Sequence, residues 1–171
     1  MARAILIAGF AGVGKTTLAQ KYKNVLDLES SFYTKDYSGI ANPDTEKLKG
    51  DPSRKINPNF PTNYINAIRE NQSKYDYLCI WANDTKAMPH YKEHAIEYII
   101  VMPTKEALSE YKDIFVGRGN SEFWIEKCIA SYDRQHKSFI ETGMPIYYLQ
   151  VAETLESWIL SNPKLPALIA K

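Results

Sequence analysis

Gly9-Phe10-Ala11-Gly12-Val13-Gly14-Lys15-Thr16 fits G-x-x-x-x-G-K-[ST], the pattern of a loop that cradles the phosphates of a nucleoside triphosphate. The spacing has a physical reason. Gly9, Gly12 and Gly14 allow backbone angles and a close approach that a Cβ obstructs. Successive N–H groups then turn inward around phosphate oxygens as an anion nest, and the following helix points the positive end of its dipole at the same place. The pattern assigns Lys15 to the β- and γ-phosphates and the Thr16 hydroxyl to Mg²⁺. Ala11, Val13 and Thr17 complete the nucleotide-contacting set, with Thr17 outside the metal site.

The flanks supply the context that the motif requires. Ala4-Ile5-Leu6-Ile7-Ala8 is an unbroken apolar run, as expected of a strand buried on both faces. Thr17 to Tyr22 reads as a helix. Strand, glycine loop and helix in that order predict nucleoside triphosphate binding. The competing reading, a glycine-rich turn with an incidental lysine, leaves the order unexplained.

With 171 residues the chain has the length of one domain with a real core. A net charge of +1 gives no general case for a nucleic acid polymer or an anionic membrane as partner. Cys79 and Cys128 fall in an apparent strand and an apparent helix, without C-x-x-C spacing, and read as reduced thiols. The N-terminal apolar run is too short for a signal peptide, and no run is long enough to span a bilayer. The expected location is the cytoplasm.

Along the chain, Asn24 to Ser31 reads as a short strand ending in acidic and hydroxyl residues. Phe32 to Pro61 is polar and is expected to be a functional insert, with a short helix around 44–49, since inert loops of that length are uncommon. Thr62 is placed to cap a helix running to about Gln72. Tyr75 to Ala82 is the third strand. A helix from Pro89 to about His94 leads to a fourth strand, Glu97 to Met102. A helix from Lys105 to about Asp113 precedes the turn Gly117-Arg118-Gly119-Asn120, and one long helix is expected from Ser121 to about Glu141, stopped by Gly143. Pro145 to Gln150 is the fifth strand, and Thr154 to Leu160 the last helix. Five strands alternating with helices predict an α/β fold, a three-layer arrangement with a five-stranded parallel sheet covered by helices on both faces. The ligand is expected beyond the carboxyl ends of the strands.

Switch GTPases carry Asn/Thr-Lys-x-Asp after a later strand, which this chain lacks. Asp36-Tyr37-Ser38-Gly39 matches D-x-x-G, but no apolar strand runs into it. ATP-driven machines carry an apolar strand ending directly in Asp, whereas the third strand here ends in Ala82-Asn83-Asp84. A small kinase survives these eliminations. The order of phosphate loop, Asp27-Leu28-Glu29-Ser30-Ser31 after strand two, Asn57-Pro58-Asn59-Phe60-Pro61, and Arg118-Gly119-Asn120 before strand five resembles the nucleoside and nucleotide kinases. It looks most like the small adenylate-kinase-like proteins of bacteria and their phages. That resemblance implies an ATP- and Mg²⁺-dependent phosphotransferase, an acceptor-site insert at about 32–72 and a lid at about 112–122. The chain departs from true adenylate kinases in lacking Asp-Gly-x-Pro-Arg after the third strand and the full lid arginine series, which leaves the acceptor open.

Phosphoryl transfer asks a protein to align two oxygens and neutralise spreading negative charge. Lys15, the loop amides and Mg²⁺ supply the first part, and Arg118 on the lid is the candidate for the rest. Arg134 and Lys137, on the helix after the lid, are candidates to face the phosphates in a closed state. Asp27 and Glu29 both lean toward the site if the strand has ended. One then organises the water around Mg²⁺ while the other takes the acceptor's proton or orients it. The plain alternative is an acidic helix-cap cluster with Ser30 and Ser31. Asp84 competes for the metal role. In the insert, Arg54 and Lys55 are candidates for an acceptor phosphate, and Tyr33, Tyr37 and Phe60 for stacking on a base. His90 and His94 have the spacing of a metal pair but no third ligand. Two further readings stay open: a kinase of another small hydroxylated metabolite, of the shikimate or gluconate type, and an ATP-binding regulatory protein with little transfer activity.

Overall fold

The structure is a computed structural model that describes residues 3–37, 55–83 and 85–171. The first apolar run forms β1 (Ile5–Gly9), which pairs in parallel with β5 (Tyr77–Trp81) on one side and β6 (Ile99–Pro103) on the other. β2 (Val25–Asp27) pairs outside β5, and β7 (Ile146–Leu149) outside β6. The result is an α/β fold with a five-stranded, all-parallel sheet in the order β2-β5-β1-β6-β7. A small antiparallel hairpin of β3 (Lys35–Asp36) and β4 (Lys55–Ile56) stands apart from it. That hairpin was not expected from the residue pattern, because two residues on each side carry no readable period.

Consecutive residues of β1, β5 and β6 are buried. Side chains alternate between faces along a strand, so runs of burial require cover on both sides. Helices provide it through Leu18 of α1 (Lys15–Lys21), Tyr64, Ile65 and Ile68 of α3 (Thr62–Asn71), and Tyr111 and Phe115 of α5 (Leu108–Gly117). Met88 and Tyr91 of α4 (Met88–Glu93) are buried in the same way. Tyr77 is fully buried, and Tyr75 and Trp81 pack against the core's margin.

Three expected boundaries move. Strand two stops at Asp27 rather than at Ser31, and a helical turn, α2 (Ser31–Thr34), begins where the hydroxyl residues stand. The Glu29 carboxylate accepts the Ser31 N–H, and the Phe32 N–H donates to the Glu29 carbonyl, so the backbone turns into a helix there instead of continuing the ladder. Thr62 is the first residue of α3, not its cap; Pro61 holds the N-cap position and no side chain caps the helix. The long helix expected from Ser121 to Glu141 is two helices, α6 (Glu122–Ala130) and α7 (Tyr132–Glu141). They meet at Ser131, whose hydroxyl donates to the Cys128 carbonyl at 2.7 Å and so competes with the helical pattern. Buried Tyr132 then fixes the start of α7 by donating to the Pro103 carbonyl at the end of β6.

The chain leaves β1 toward β2 and leaves β6 toward β7, so the carboxyl ends of two adjacent strands diverge. A crevice opens at such a switch point. Among the described residues no helix is long and apolar enough to cross a membrane.

Candidate functional site

The glycine loop fills the bend between β1 and α1. Its first residue, Phe10, donates its N–H to Val101 of β6 at 2.8 Å, and its ring is buried edge-on against Tyr111 and Tyr132. Gly9 has no room for a side chain: a Cβ there would lie 2.8 Å from Val13 Cγ2 and 3.0 Å from Lys15 Cδ. Gly12 is constrained twice. Its φ is +88°, and a Cβ would come within 2.9 Å of ring atoms of both Tyr111 and Phe115. Gly14, the N-cap of α1, has φ +100°. The N–H groups of Gly12, Gly14, Lys15 and Thr16 donate to no protein acceptor among the described residues. Unpaired backbone donors gathered at a helix N-terminus make a ready site for an anion.

Lys15 arches back over this loop. Its Nζ donates to the Gly9 carbonyl at 2.8 Å and the Phe10 carbonyl at 3.1 Å. Burial lowers its pKa; Asp27 and Glu29 work against the shift, and Arg118 adds to it. Asp27, Glu29 and Arg118, three of the charged groups named from the sequence, therefore lie within electrostatic range of the Lys15 ammonium. Thr16 and Asp27 are closer still, the Thr16 hydroxyl donating to Asp27 Oδ2 at 2.7 Å. One helix-first-turn hydroxyl and one strand-end carboxylate thus meet across the site.

Glu29 is placed differently from Asp27. Its Oε1 accepts the Ser31 N–H at 3.3 Å, so part of its role is the helix-cap one. Its charge still bears on Lys15. Behind both carboxylates, the Tyr64 hydroxyl donates to the Leu28 carbonyl at 3.1 Å and accepts the Trp81 N–H at 2.9 Å. This buried hydroxyl fastens the end of β2 to the end of β5. Its pKa is pushed up by burial, as expected of a phenol kept neutral.

A cleft of about 380 Å³ adjoins the loop on its other side. Gly12, Gly14 and Thr17 form its floor, Tyr111, Ile114 and Arg118 one wall, and Ala152, Glu153 and Thr154 the other. These segments follow β1, β6 and β7 in turn, so the crevice lies where the diverging strands put it. Arg118 is the C-cap of α5, exposed at the rim, and no hydrogen bond or ion pair holds its guanidinium among the described residues. Arg134 is exposed on α7 and is not among the residues lining the cleft. Lys137 is likewise exposed on that helix.

Sequence reasoning missed the second wall. Glu110 Oε2 accepts the Ala152 N–H at 2.8 Å, Gln150 donates its N–H to Glu153 Oε2 at 2.9 Å, and Leu155 donates its N–H to the Val13 carbonyl at 3.2 Å. The last bond lays the start of α8 (Leu155–Leu160) on the phosphate loop. A readable signal existed only for Thr154, whose side chain and that of Ser157 form a capping box.

On the insert side, the Tyr33 ring packs 4.9 Å from Tyr64, and Phe60 packs edge-on against Trp81 and His90. These rings are partly buried in the fold's margin. Tyr37 lies 6.4 Å from Phe32, and Lys55 is exposed on β4. Asp84, Arg54 and the expected helix at 44–49 lie outside the described residues. His90 Nδ1 lies 3.3 Å from Glu93 Oε2. Among the described residues no group of three or more His, Cys, Asp or Glu side chains could hold a metal ion. Magnesium asks for less, since it keeps waters and substrate phosphates and takes one or two protein oxygens. The hard oxygens of Thr16 and Asp27 fit that demand. Compared with known proteins, the chain matches no family model, no curated protein and no solved structure.

Proposed function

We propose that this protein is an ATP- and Mg²⁺-dependent phosphotransferase acting on a nucleoside or nucleoside monophosphate, in the manner of the small adenylate-kinase-like proteins. The observation that carries the reading is the meeting of Thr16 and Asp27 beside Lys15 and a row of unpaired amides. A nucleotide lying in the site would have its polyphosphate on those amides and its nucleoside in the adjoining cleft.

The chain's own residues divide the work. The amides of Gly12, Gly14, Lys15 and Thr16 bind phosphate oxygens. Lys15 exchanges its two carbonyl partners for phosphate, an exchange favoured because its ammonium is only modestly compensated where it stands. Thr16 and Asp27 would hold Mg²⁺, which would supply neutralisation of phosphate charge when bound. Glu29 orients the acceptor hydroxyl or takes its proton. Arg118, unpaired at the rim of the cleft, neutralises the group in transit and helps to exclude water. Arg134 stays a candidate for the closed state.

A second reading is favoured by the packing of Tyr33 and Phe60, the rings expected to stack on an acceptor base. With those rings engaged, a smaller hydroxylated metabolite is the natural alternative acceptor. Incubation with Mg²⁺, γ-labelled ATP and a panel of nucleosides, monophosphates, sugars and hydroxy acids tests both. Label on a nucleoside or nucleotide supports the first reading, and label on a sugar or acid the second. ATP binding with no labelled product favours a regulatory nucleotide-binding protein.

A further inference from the structure

Ala152 has a φ of +61°, a conformation that side-chain-bearing residues avoid and that persists only where neighbours hold it. Within its own loop, Glu153 and Gln150 bond to each other, and Leu155 bonds to Val13 of the phosphate loop. The hydrogen bond on Ala152 itself comes from elsewhere: its N–H donates to Glu110 Oε2 at 2.8 Å, from the opposite wall of the cleft. Glu110 stands in the first turn of α5, the helix that also carries Tyr111, Ile114 and, at its end, Arg118. One carboxylate therefore ties α5 to the 150–154 loop across the cleft.

We propose that Glu110 is a positioning residue for the nucleoside end of the bound nucleotide, a role that rests on the nucleotide reading of the site given above. By holding the Ala152 N–H, Glu110 keeps the second wall at the distance from Tyr111 and Ile114 that a nucleoside requires. The phosphate end is served by other groups, namely the loop amides, Lys15 and Thr16. The two ends of the ligand therefore respond separately to loss of Glu110. Glutamine keeps an acceptor oxygen for the Ala152 N–H, whereas alanine does not. A half-buried helix residue can be changed in this way without emptying the core.

The test is calorimetric titration of the protein, in Mg²⁺, with ATP and separately with inorganic tripolyphosphate, using wild type, Glu110→Ala and Glu110→Gln, with melting curves to establish that each is folded. The expected result is tighter binding of ATP than of tripolyphosphate by wild type. Glu110→Ala is expected to lose about tenfold in ATP affinity with tripolyphosphate unchanged, and Glu110→Gln to recover most of that loss. Unchanged ATP affinity in Glu110→Ala would overturn the role, as would equal losses for both ligands or failure of glutamine to recover. If wild type binds neither ligand, the nucleotide reading itself falls, and this role with it. If wild type binds both and only the Glu110 pattern fails, the nucleotide reading stands without Glu110.

Discussion

The Thr16 hydroxyl donates to Asp27 Oδ2 across 2.7 Å, joining the first turn of α1 to the end of the edge strand β2. Eleven residues separate the two in sequence. Asp27→Asn keeps an acceptor for the hydroxyl but removes the charge. In the proposed reaction, the Mg²⁺ concentration for half-maximal rate is expected to rise about tenfold or more, with thermal stability nearly unchanged. An unaltered Mg²⁺ requirement would take Asp27 out of the metal site.

Lys15 gives up solvent to lie over the loop, so its removal costs the fold little. Lys15→Ala is expected to abolish transfer while shifting Tm by no more than about 2–4 °C, the equivalent of roughly 1 kcal/mol for a chain of this size. Turnover assays and calorimetry on the same preparation check both halves. Wild-type turnover would remove Lys15 from the chemistry.

Arg118 is exposed at the cleft rim and bears on Lys15 electrostatically. A group acting on charge that develops during transfer affects the rate more than the binding. Arg118→Ala is expected to lower kcat by about 10²-fold or more while ATP affinity changes only a few-fold. Equal losses in both would make the arginine a ground-state contact.

Tyr64 occupies a fully buried place where one hydroxyl serves both Leu28 and Trp81. Tyr64→Phe leaves the Trp81 N–H without its acceptor and the Leu28 carbonyl without its donor, at a cost of about 1–3 kcal/mol. Denaturant melts are expected to show a lower midpoint with an unchanged slope. No change in midpoint would mean that the strand ends are fastened by other contacts.

Burial raises the Cys79 thiol to about 12 and the Cys128 thiol to about 11. The sign is that of a group whose charged form is disfavoured, so both remain protonated at neutral pH. At pH 8 only about one Cys128 in 10³ carries the reactive thiolate. Native protein is expected to resist iodoacetamide at that pH, Cys79 more than Cys128, and to label at both after unfolding. Rapid labelling of Cys79 in the native state would contradict its place in β5.

The local parts of the molecule were legible in residue order. Ala4 to Ala8 announced a strand with both faces covered, and the glycine spacing announced the bend after it, because burial period and backbone freedom are properties of neighbouring residues. Gly143, two residues beyond the end of α7, marked that boundary equally well. Where a hydroxyl residue competes with the helix, as at Ser131, the period alone read straight through the break.

What the sequence determined by itself was the parallel α/β architecture and the loop from Gly9 to Thr16, since both follow from short-range pattern. Tertiary structure decided which distant groups meet there. It put Asp27 on Thr16, turned Glu29 to the Ser31 N–H, and built the second wall of the cleft from Glu110 and Ala152. Those pairings depend on how helices and strands pack in space. A hydrogen bond between residues 42 positions apart leaves no trace in the chain on either side of it.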